Sequence, residues 1–203
     1  GWQAWTSKSV PNLLSKQDSN LDTDTASNGT WVAASNTTLS NDTLDPGGSW
    51  TRSLKMLSGA SGVFGATSGS YPCIPTKTYS VRCFANVTSG KTTTLSLLFY
   101  DANGNLLQTS TSAGDVGTGS WTAIGMTTAV AAPSGAATFK VKIETTATAG
   151  SQTCYATGIF VGLATTAVTF VRTTSPGGAS ATKVDGGAET SSIAHPTDEL
   201  RVF

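Results

Sequence analysis

Charged residues are scarce in this sequence. Only 12% of its 203 residues are Asp, Glu, Lys or Arg, about half of the usual share of about 25% in globular proteins. Twelve basic residues balance twelve acidic ones, so no net field attracts nucleic acid, and nucleic-acid binding is not expected. The surface must be polar through Thr, Ser, Asn and Gly, which is typical of secreted and virion β-proteins.

Long apolar runs are also missing. No run approaches the roughly 20 residues that span a bilayer, so membrane insertion is not expected. Residues 1–10 lack the basic-then-apolar order of a signal peptide, and the chain does not begin with Met. We interpret it as a processed chain or as a piece of a longer one.

Groups suited to catalysis are few. The single histidine, His195, lies in a polar stretch beside Pro196, a poor place to orient a base. Of the three glutamates, Glu144, Glu189 and Glu199, two lie in that same stretch, whereas glycoside hydrolysis needs two carboxyl groups facing each other across a cleft. Nucleophile-elbow, phosphate-loop and zinc signatures are absent from the sequence. The sequence therefore predicts a protein that is not an enzyme.

The three cysteines, Cys73, Cys83 and Cys154, lack the spacing of metal ligands. Their odd number leaves at least one thiol unpaired if a disulfide forms within the chain. Buried, unpaired cysteines are favoured over a Cys73–Cys83 or Cys83–Cys154 bridge, because free cysteine packs as a small apolar side chain.

Short runs of alternating apolar and polar residues are the main structural signal. In Thr138–Glu144, the residues Phe139, Val141 and Ile143 share one side, the pattern of a half-buried strand. In Thr78–Val87 the inner side holds, among others, Tyr79, Val81 and Cys83. Further strands are predicted at Asn12–Leu14, Thr30–Ser35, Trp50–Leu57, Gly62–Thr67, Ser120–Val130 and Gln152–Leu163.

An Asn-Gly turn, Asn103-Gly104, separates Thr92–Asp101 from Leu106–Ser112, so these two runs are predicted to form a hairpin. Many short strands joined by turn residues indicate a sandwich or barrel. The predicted fold is therefore all-β: an antiparallel sandwich over residues 12–163, with an N-terminal extension at 1–11 and a C-terminal extension at 164–203. The extensions carry scattered apolar residues, among them Trp2 and Trp5, and we expect another copy or another protein to hold them.

Several ordered motifs carry a resemblance to a known family. The motifs are Asn12-Leu13-Leu14, Gly48-Ser49-Trp50, Ser53-Leu54-Lys55-Met56, Ile74–Val81, Phe99–Gly104, Gly119-Ser120-Trp121-Thr122 and Ala131–Ala136. Together they resemble the jelly-roll carbohydrate-binding modules fused to polysaccharide-degrading enzymes, and similar domains in minor tail proteins of bacteriophages of actinobacteria. The resemblance covers residues 12–163 and implies a jelly-roll sandwich.

The resemblance also implies two kinds of site. Members of this group often hold a structural calcium with acidic residues of the last strand, but Cys154–Phe160 contains no carboxylate. Asp18, Asp22 and Asp24 near the entry strand are candidate calcium ligands, Asp22 and Asp24 foremost, with solvated turn residues as the alternative. No other cofactor is expected.

A sugar site needs aromatic rings beside hydrogen-bonding side chains. The polar sides of three predicted strands supply such groups, and we expect them to line one groove: Arg82, Phe84 and Asn86, then Tyr100, then Lys140 and Lys142. An ordinary solvated face or an assembly face is the alternative reading of these residues.

The leading functional hypothesis is a non-catalytic, tail-associated phage virion module that binds a bacterial cell-envelope glycan. Weak binding by each copy would suffice, because many copies on one particle raise the effective concentration. The expected partners are that glycan and other virion proteins or copies of the chain. The alternatives are a purely structural virion protein without a sugar site and a secreted accessory module of a glycoside hydrolase.

Overall fold

The computed structural model describes residues 12–21, 28–46 and 50–163. These residues form an antiparallel β-sandwich, which confirms the predicted all-β fold. In chain order its elements are α1 Lys16–Asn20, β1 Val32–Ala33, β2 Thr37–Asp42, β3 Ser53–Ser58, β4 Gly62–Thr67, β5 Tyr71–Pro72, β6 Thr78–Val87, β7 Thr92–Tyr100, β8 Leu106–Thr111, β9 Asp115–Val116, β10 Trp121–Gly125, β11 Val130–Ala131, β12 Thr138–Ala147 and β13 Thr153–Leu163. The predictions for Trp2, Trp5, His195 and both extensions lie outside the described residues.

Two sheets face each other. Sheet A has the strand order β1-β4-β12-β7-β8, with β5 beside β12 and β9 beside β7. Sheet B has the order β10-β6-β13-β3-β2, with β11 beside β6. Strands distant in sequence are thus neighbours in space, as in a jelly roll. No helix in the described ranges is long and apolar enough to cross a membrane.

The strongest predicted strands are present where the alternation is clearest. The strands at Gly62–Thr67 and Thr78–Val87 have the predicted bounds. The predicted hairpin joins β7 and β8, and Gly104 in its turn has φ +83°. In contrast, the predicted strand Ser120–Val130 is two shorter strands. The first ends at Gly125, whose φ is +157°, and the second begins at Val130.

The space between the sheets is filled by the inward side chains that alternation predicts. Phe139, Val141, Ile143, Val81 and Cys83 are all 0% exposed, and Tyr79 is 1% exposed. Tyr79 is the centre of an aromatic cluster, with its ring centroid 5.7 Å from that of Phe99 and 5.6 Å from that of Phe139. Aromatic pairs at this distance stabilise a core beyond the area they bury.

Residues 12–14 are not the predicted strand, but they extend sheet B. The backbone N–H of Leu13 donates to the carbonyl of Val161 at 2.8 Å. The Asn12 side chain donates to the carbonyl of Ile159 at 2.9 Å and accepts from the N–H of Val161 at 3.0 Å. The start of the sandwich is therefore attached directly to its last strand, β13.

Helix α1 is a single short turn organised around Asp18. The hydroxyl of Ser15 caps the helix by accepting from the N–H of Asp18 at 3.1 Å. The Asp18 side chain is fully buried, and its carboxylate accepts from the N–H of Thr30 at 2.6 Å and from the hydroxyls of Thr30 and Tyr71. Three donors thus compensate the desolvation of one buried carboxylate.

The three cysteines are free thiols. Cys154 lies opposite Val87 on β6, four residues from Cys83, or about 13 Å along a strand. Because disulfides need Cα atoms within about 7 Å, the register excludes a Cys83–Cys154 bridge. Burial raises the pKa of Cys154 to about 11 and that of Cys83 well above its ordinary value, so both remain protonated. The favoured prediction of buried, unpaired cysteines is correct for these two, whereas Cys73 is only half-buried.

Candidate functional site

The six side chains predicted to line one groove lie on two different sheets. Sheet B carries Arg82, Phe84 and Asn86 on β6, and sheet A carries Tyr100 on β7 with Lys140 and Lys142 on β12. Both sets face outward, on opposite sides of the sandwich. The prediction of a single groove is therefore wrong. Alternation tells which side of its own strand a residue occupies, but not which sheet the strand joins.

The polar side chains on the outer face of sheet A largely contact one another. The ammonium group of Lys140 lies over the Tyr100 ring, 5.3 Å from its centroid. Lys142 donates to the Glu144 carboxylate at 2.8 Å. Ser96 and Thr111 share a hydrogen bond of 2.9 Å across β7 and β8. The result is a polar surface whose single aromatic ring already has a cation above it.

Part of the outer face of sheet B is closed by Trp50. Its ring centroid is 5.1 Å from that of Phe84, and its indole N–H donates to the Asn20 side chain at 3.2 Å. Only 4% of Trp50 is exposed. Gly158 makes this position possible, because a Cβ there would lie 2.9 Å from the Trp50 ring, and its φ is +58°. Phe84 is thus a half-buried packing residue, and its assignment as a solvent-facing ring is wrong.

Arg82 lies in the middle of β6, between Gly125 of β10 and Phe160 of β13. The Arg82 Nε is buried and has no hydrogen-bond partner in the part of the chain that the structure describes. Burial raises the pKa of nearby Asp115, and the hydrogen bond from the Gly125 backbone and the charge of Arg82 offset this only in part. Arg82 is therefore a partly buried residue beside Asp115.

The open part of sheet B carries a row of outward side chains, one from each of its five main strands. Direct cross-strand pairing places them side by side in the order Trp121, Asn86, Tyr155, Lys55 and Ser40. Side chains opposite one another in an antiparallel sheet are about 5 Å apart. We call this set the sheet B row. It places two half-buried aromatic rings on either side of one amide.

The polar groups of the sheet B row differ in whether they have partners within the protein. The Asn86 amide makes no hydrogen bond with the described residues. The indole N–H of Trp121 likewise has no acceptor among them, although it is buried. Lys55, in contrast, lies 5.6 Å from the centroid of the Tyr155 ring and 3.2 Å from the Asp42 carboxylate. At one end of the row, therefore, an indole N–H and an amide make no protein hydrogen bond among the described residues, and at the other end Lys55 forms an ion pair with Asp42.

The Lys55–Asp42 pair is fully ionised near neutral pH. The Asp42 carboxylate and the Tyr155 side chain raise the pKa of Lys55 above its ordinary value. The pKa of Asp42 is lowered, first by the hydrogen bond from the backbone N–H of Leu44 and then by Lys55. Opposite charges and hydrogen bonds both favour the ionised forms. The pair brings no net charge to the surface.

The predicted calcium ligands, Asp22 and Asp24, lie outside the described residues, so that prediction is not tested. Among residues 12–21, 28–46 and 50–163, no three His, Cys, Asp or Glu side chains are grouped so that they could hold a metal ion. The buried Asp18 carboxylate, which could contribute to such a site, has hydrogen bonds from Thr30 and Tyr71.

Sequence reasoning identified Asn86 but missed its neighbours in the row. Tyr155 and Lys55 lie on the polar sides of predicted strands, and the alternation of apolar and polar residues predicts their outward orientation. Their position beside Asn86 depends on the order and register of β6, β13 and β3, which a single sequence does not reveal. Trp121 was recognised only as part of the motif Gly119-Ser120-Trp121-Thr122 and not as a binding residue.

The sequence matches no protein-family profile and no curated protein. Solved structures are similar in fold. A bacteriophage CBA120 tailspike domain, described as enzymatically active, matches with a TM-score of 0.57 at 16% identity, over 75% of this chain and 21% of that one. The C-terminal family 22 carbohydrate-binding module of Clostridium thermocellum Xyn10B matches with a TM-score of 0.55 at 18% identity, over 74% of this chain and 94% of that module. The module TmCBM61, solved with β-1,4-galactotriose, matches with a TM-score of 0.52 at 11% identity, over 75% of this chain and 99% of that module.

These similarities define the class of fold. The chain spans nearly the whole of the two carbohydrate-binding modules but only about a fifth of the tailspike domain. The described part of the chain is therefore a jelly-roll domain like those modules, as its sequence motifs predicted. At identities this low the likeness concerns the fold, and a function must be argued from the side chains.

Proposed function

We propose that this domain is a non-catalytic carbohydrate-binding module, and that it binds glycan on the outer face of sheet B along the sheet B row. One observation carries the proposal: Trp121 and Tyr155 lie on either side of Asn86, whose amide has no partner among the described residues. The chain's likeness to carbohydrate-binding modules supports the same conclusion.

The chemistry of the row suits sugars. Aromatic rings pack against the apolar C–H faces of pyranoses, and half-exposed Trp and Tyr present such surfaces at little conformational cost. A free Asn side chain offers two donors and one acceptor, which match the mixed donor and acceptor character of hydroxyl groups. Asn86 loses no protein hydrogen bond when it turns to a ligand, so its pairing with a sugar costs only the displacement of water.

The outer face of sheet A is the second candidate, because it holds the predicted residues Tyr100, Lys140 and Lys142. Its aromatic ring is covered by Lys140, and Lys142 is paired with Glu144. A ligand there must first displace these internal contacts. Tyr155 in the sheet B row is contacted in the same way by Lys55, which lies 5.6 Å from its ring centroid. The row is the preferred surface because it adds a second ring, that of Trp121, and the amide of Asn86.

A non-catalytic role is supported by the carboxyl groups of the described residues. Glu144 is their only glutamate, and it is paired with Lys142. Cleavage of a glycosidic bond would require a second carboxyl group facing it across the sugar. One carboxylate, that of Asp42, lies beside the sheet B row, and Lys55 neutralises it.

For the biological setting, we propose a tail-associated virion adhesion module that recognises a bacterial cell-envelope glycan. The motifs resembling phage minor tail proteins and the similarity to a phage tailspike domain support this setting. The similarity to modules of xylanases supports the alternative, a secreted accessory module of a glycoside hydrolase, equally well. A structural virion protein without a sugar site is the third candidate, and it differs from both in binding no glycan.

The test is glycan binding by the full chain. A glycan array should show retention of at least one polysaccharide class. Calorimetry should then show a loss of about tenfold in affinity for Tyr155→Ala or Trp121→Ala, the magnitude of one aromatic contact. Tyr100→Ala is the matched control on sheet A and should bind as the unmodified chain does.

Two results would overturn the proposal in different ways. An array without any retained glycan would support the structural alternative. A loss of binding in Tyr100→Ala, with Tyr155→Ala unaffected, would move the site to sheet A. Thermal unfolding of each variant shows whether a loss of binding reflects the site or the fold.

A further inference from the structure

The edges of the two sheets differ in how well they are protected against pairing with another chain. Strand β1, at one edge of sheet A, has two residues. At the edges of sheet B, the backbone N–H of Gly125 on β10 donates to the Asp115 carboxylate, and β2 ends at Asp42, which is paired with Lys55. Short, covered or charged edge strands resist the addition of a further strand. These three edges are therefore poor sites for association.

Strand β8, at the other edge of sheet A, is uncharged and exposed. It has six residues, Leu106–Thr111, and no charged residue lies between Asp101 and Asp115. Leu106 is 52% exposed and Leu107 is 43% exposed. No described residue forms a backbone hydrogen bond with the side of β8 that faces away from β7. The strand therefore presents an open backbone edge to which another strand can be added.

One hydrogen bond identifies the backbone groups of β8 that are available. The N–H of Ser112 donates to the carbonyl of Leu95 on β7 at 2.7 Å, so Ser112 directs its backbone groups toward β7. Successive residues of an antiparallel strand direct these groups alternately to the two sides. Thr109 and Thr111 therefore direct their N–H and C=O groups away from β7. Both residues are exposed, and both lie in the regular part of β8, beyond the register shift at Leu107.

This edge is complementary to a second copy of itself. When two β8 strands pair antiparallel about a two-fold axis at Thr109, this residue faces Thr109 of the second copy, and each N–H donates to the other's carbonyl. Gln108 then faces Ser110 of the second copy, which is an uncharged polar pair. A charged residue at the axis would face its own charge, and β8 contains none. Threonine pairs across neighbouring strands are favourable, so the pairing has hydrogen bonds without repulsion.

We infer that the chain forms a symmetric dimer through β8, which joins sheet A of the two copies into one continuous sheet. Both copies use the same edge, and the opposite edge, β1, has only two residues, so the assembly closes at two copies and does not grow into a fibre. An edge contact of this length lies at the small end of protein interfaces, below about 1,200 Å² of buried surface. The dimer is therefore weak, with a dissociation constant in the micromolar range or above.

The symmetry of this dimer has a consequence for glycan binding. A two-fold axis that relates two antiparallel strands of one sheet is perpendicular to that sheet, so both copies keep sheet B on the same side of the continuous sheet. The two sheet B rows then face the same way. One dimer can therefore bind a glycan-coated surface with both rows, and the second contact gains from a high effective concentration. This consequence rests on the proposed function, whereas the dimer itself does not.

The dimer is tested by sedimentation equilibrium of the full chain, at concentrations from below the micromolar range to the millimolar range. The average mass should rise from that of one chain toward that of two and no further. In the same samples, hydrogen exchange measured by NMR should show the Thr109 and Thr111 amides exchanging more slowly as the dimer forms. The Ser110 amide faces β7 and should change less, because its backbone partner is already present.

Variants at Thr109 test the register. Thr109→Pro removes the central N–H and should weaken dimerisation about tenfold or more, yet leave the monomer folded, because proline is tolerated where an edge N–H faces away from the sheet. Thr109→Lys and Thr109→Glu each place like charges opposite one another, and each should be monomeric. An equimolar mixture of these two variants should dimerise, because Thr109 faces its own counterpart. Thr38→Lys, at an exposed position of edge strand β2, is the matched control and should dimerise normally.

The outcomes separate the dimer from the proposed function. A chain that stays monomeric at every concentration, or whose mass grows beyond two copies, overturns the dimer. So does a dimer that Thr109→Pro and Thr109→Lys leave unchanged, or a mixture of the two charged variants that does not associate. Should Thr109→Pro fail to fold, the charged variants still decide the matter. A glycan array without any retained glycan overturns the proposed function and leaves the dimer standing.

Discussion

The two outer faces of this sandwich are built from the same alternating strands, yet they are completed differently. On sheet A, the Tyr100 ring, the lysines of β12 and Glu144 pair with one another. On sheet B, Trp50 and residues 12–21 cover one part, and the other part keeps Asn86 without a partner among the described residues. The comparison teaches that exposure alone does not mark a binding face. The number of aromatic rings on a face, and a side-chain amide beside them that makes no protein hydrogen bond, distinguish the two faces better.

The closed part of sheet B should be the most sensitive to mutation, because it depends on a buried carboxylate. Asp18→Ala leaves the N–H of Thr30 and the hydroxyls of Thr30 and Tyr71 without their acceptor. We expect a loss of about 4 kcal/mol in the free energy of unfolding, measured by urea denaturation. Tyr71→Phe removes one of the three donors to Asp18 and the acceptor of the Ser15 N–H, which is at the exposed helix start, and should cost about 1 kcal/mol. If Asp18→Ala were as stable as Tyr71→Phe, this part of sheet B would not depend on Asp18.

The contrast between the interior and the outer face of sheet A can be tested on one strand. Ile143 on β12 is 0% exposed, whereas the neighbouring Lys142 faces outward. Ile143→Ala should lower the free energy of unfolding by about 3 kcal/mol through the cavity it leaves. Lys142→Ala should change it by less than about 0.5 kcal/mol, as for most surface substitutions. Equal effects would show that the two sides of β12 are assigned wrongly.

Phe84 and Tyr100 compare the two outer faces directly. Phe84 packs against Trp50, whereas Tyr100 contacts Lys140 at the surface. Phe84→Ala should therefore destabilise the fold by about 2 kcal/mol, and Tyr100→Ala by less than about 1 kcal/mol. Differential scanning calorimetry provides the measurement. A Phe84→Ala variant with an unchanged thermal midpoint would return Phe84 to the list of candidate ligand contacts.

The smallest expected effect is that of pH on glycan binding. The pKa of Asp42 lies below its ordinary value of 3.8 and that of Lys55 above 10.5. The stabilisation that the ionised Asp42 gives to the ion pair is complete above the unfolded-state pKa of Asp42, and it is lost only as the pH falls through the lower folded-state pKa. The stabilisation from the charged Lys55 is lost only as the pH rises through the higher folded-state pKa of Lys55. Affinity should thus stay constant between about pH 5 and pH 9, and a bell-shaped profile would place another titrating group in the site.

Local pattern predicted much of the fold. The strand Thr78–Val87 and the core positions Phe139, Val141 and Ile143 follow from alternation alone, because one side of each strand must be buried. The turn at Gly104 follows from its need for a positive φ. Strand β2, with the sequence Thr37–Asp42, was missed because Leu39 is its only large apolar residue, so no alternation marks it.

The candidate site was less predictable, because it depends on contacts between distant parts of the chain. Asn86 could be assigned to an outward side, but its neighbours Trp121 and Tyr155 are set by strand order. The covering of Phe84 depends on Trp50 and on the absence of a side chain at Gly158. These pairings are tertiary, and nothing in the local sequence around Asn86 or Phe84 encodes them.

The hydrogen bonds between Asn12 and β13 have a consequence for how such a domain can be joined to other proteins. Because Asn12 bonds directly to the backbone of Val161, the polypeptide enters and leaves the sandwich at nearly the same point. A fold with adjoining entry and exit can be inserted into a surface loop of a host protein without stretching that loop. The geometry thus suits a domain that is carried as an insert within a larger chain as well as one that is joined end to end.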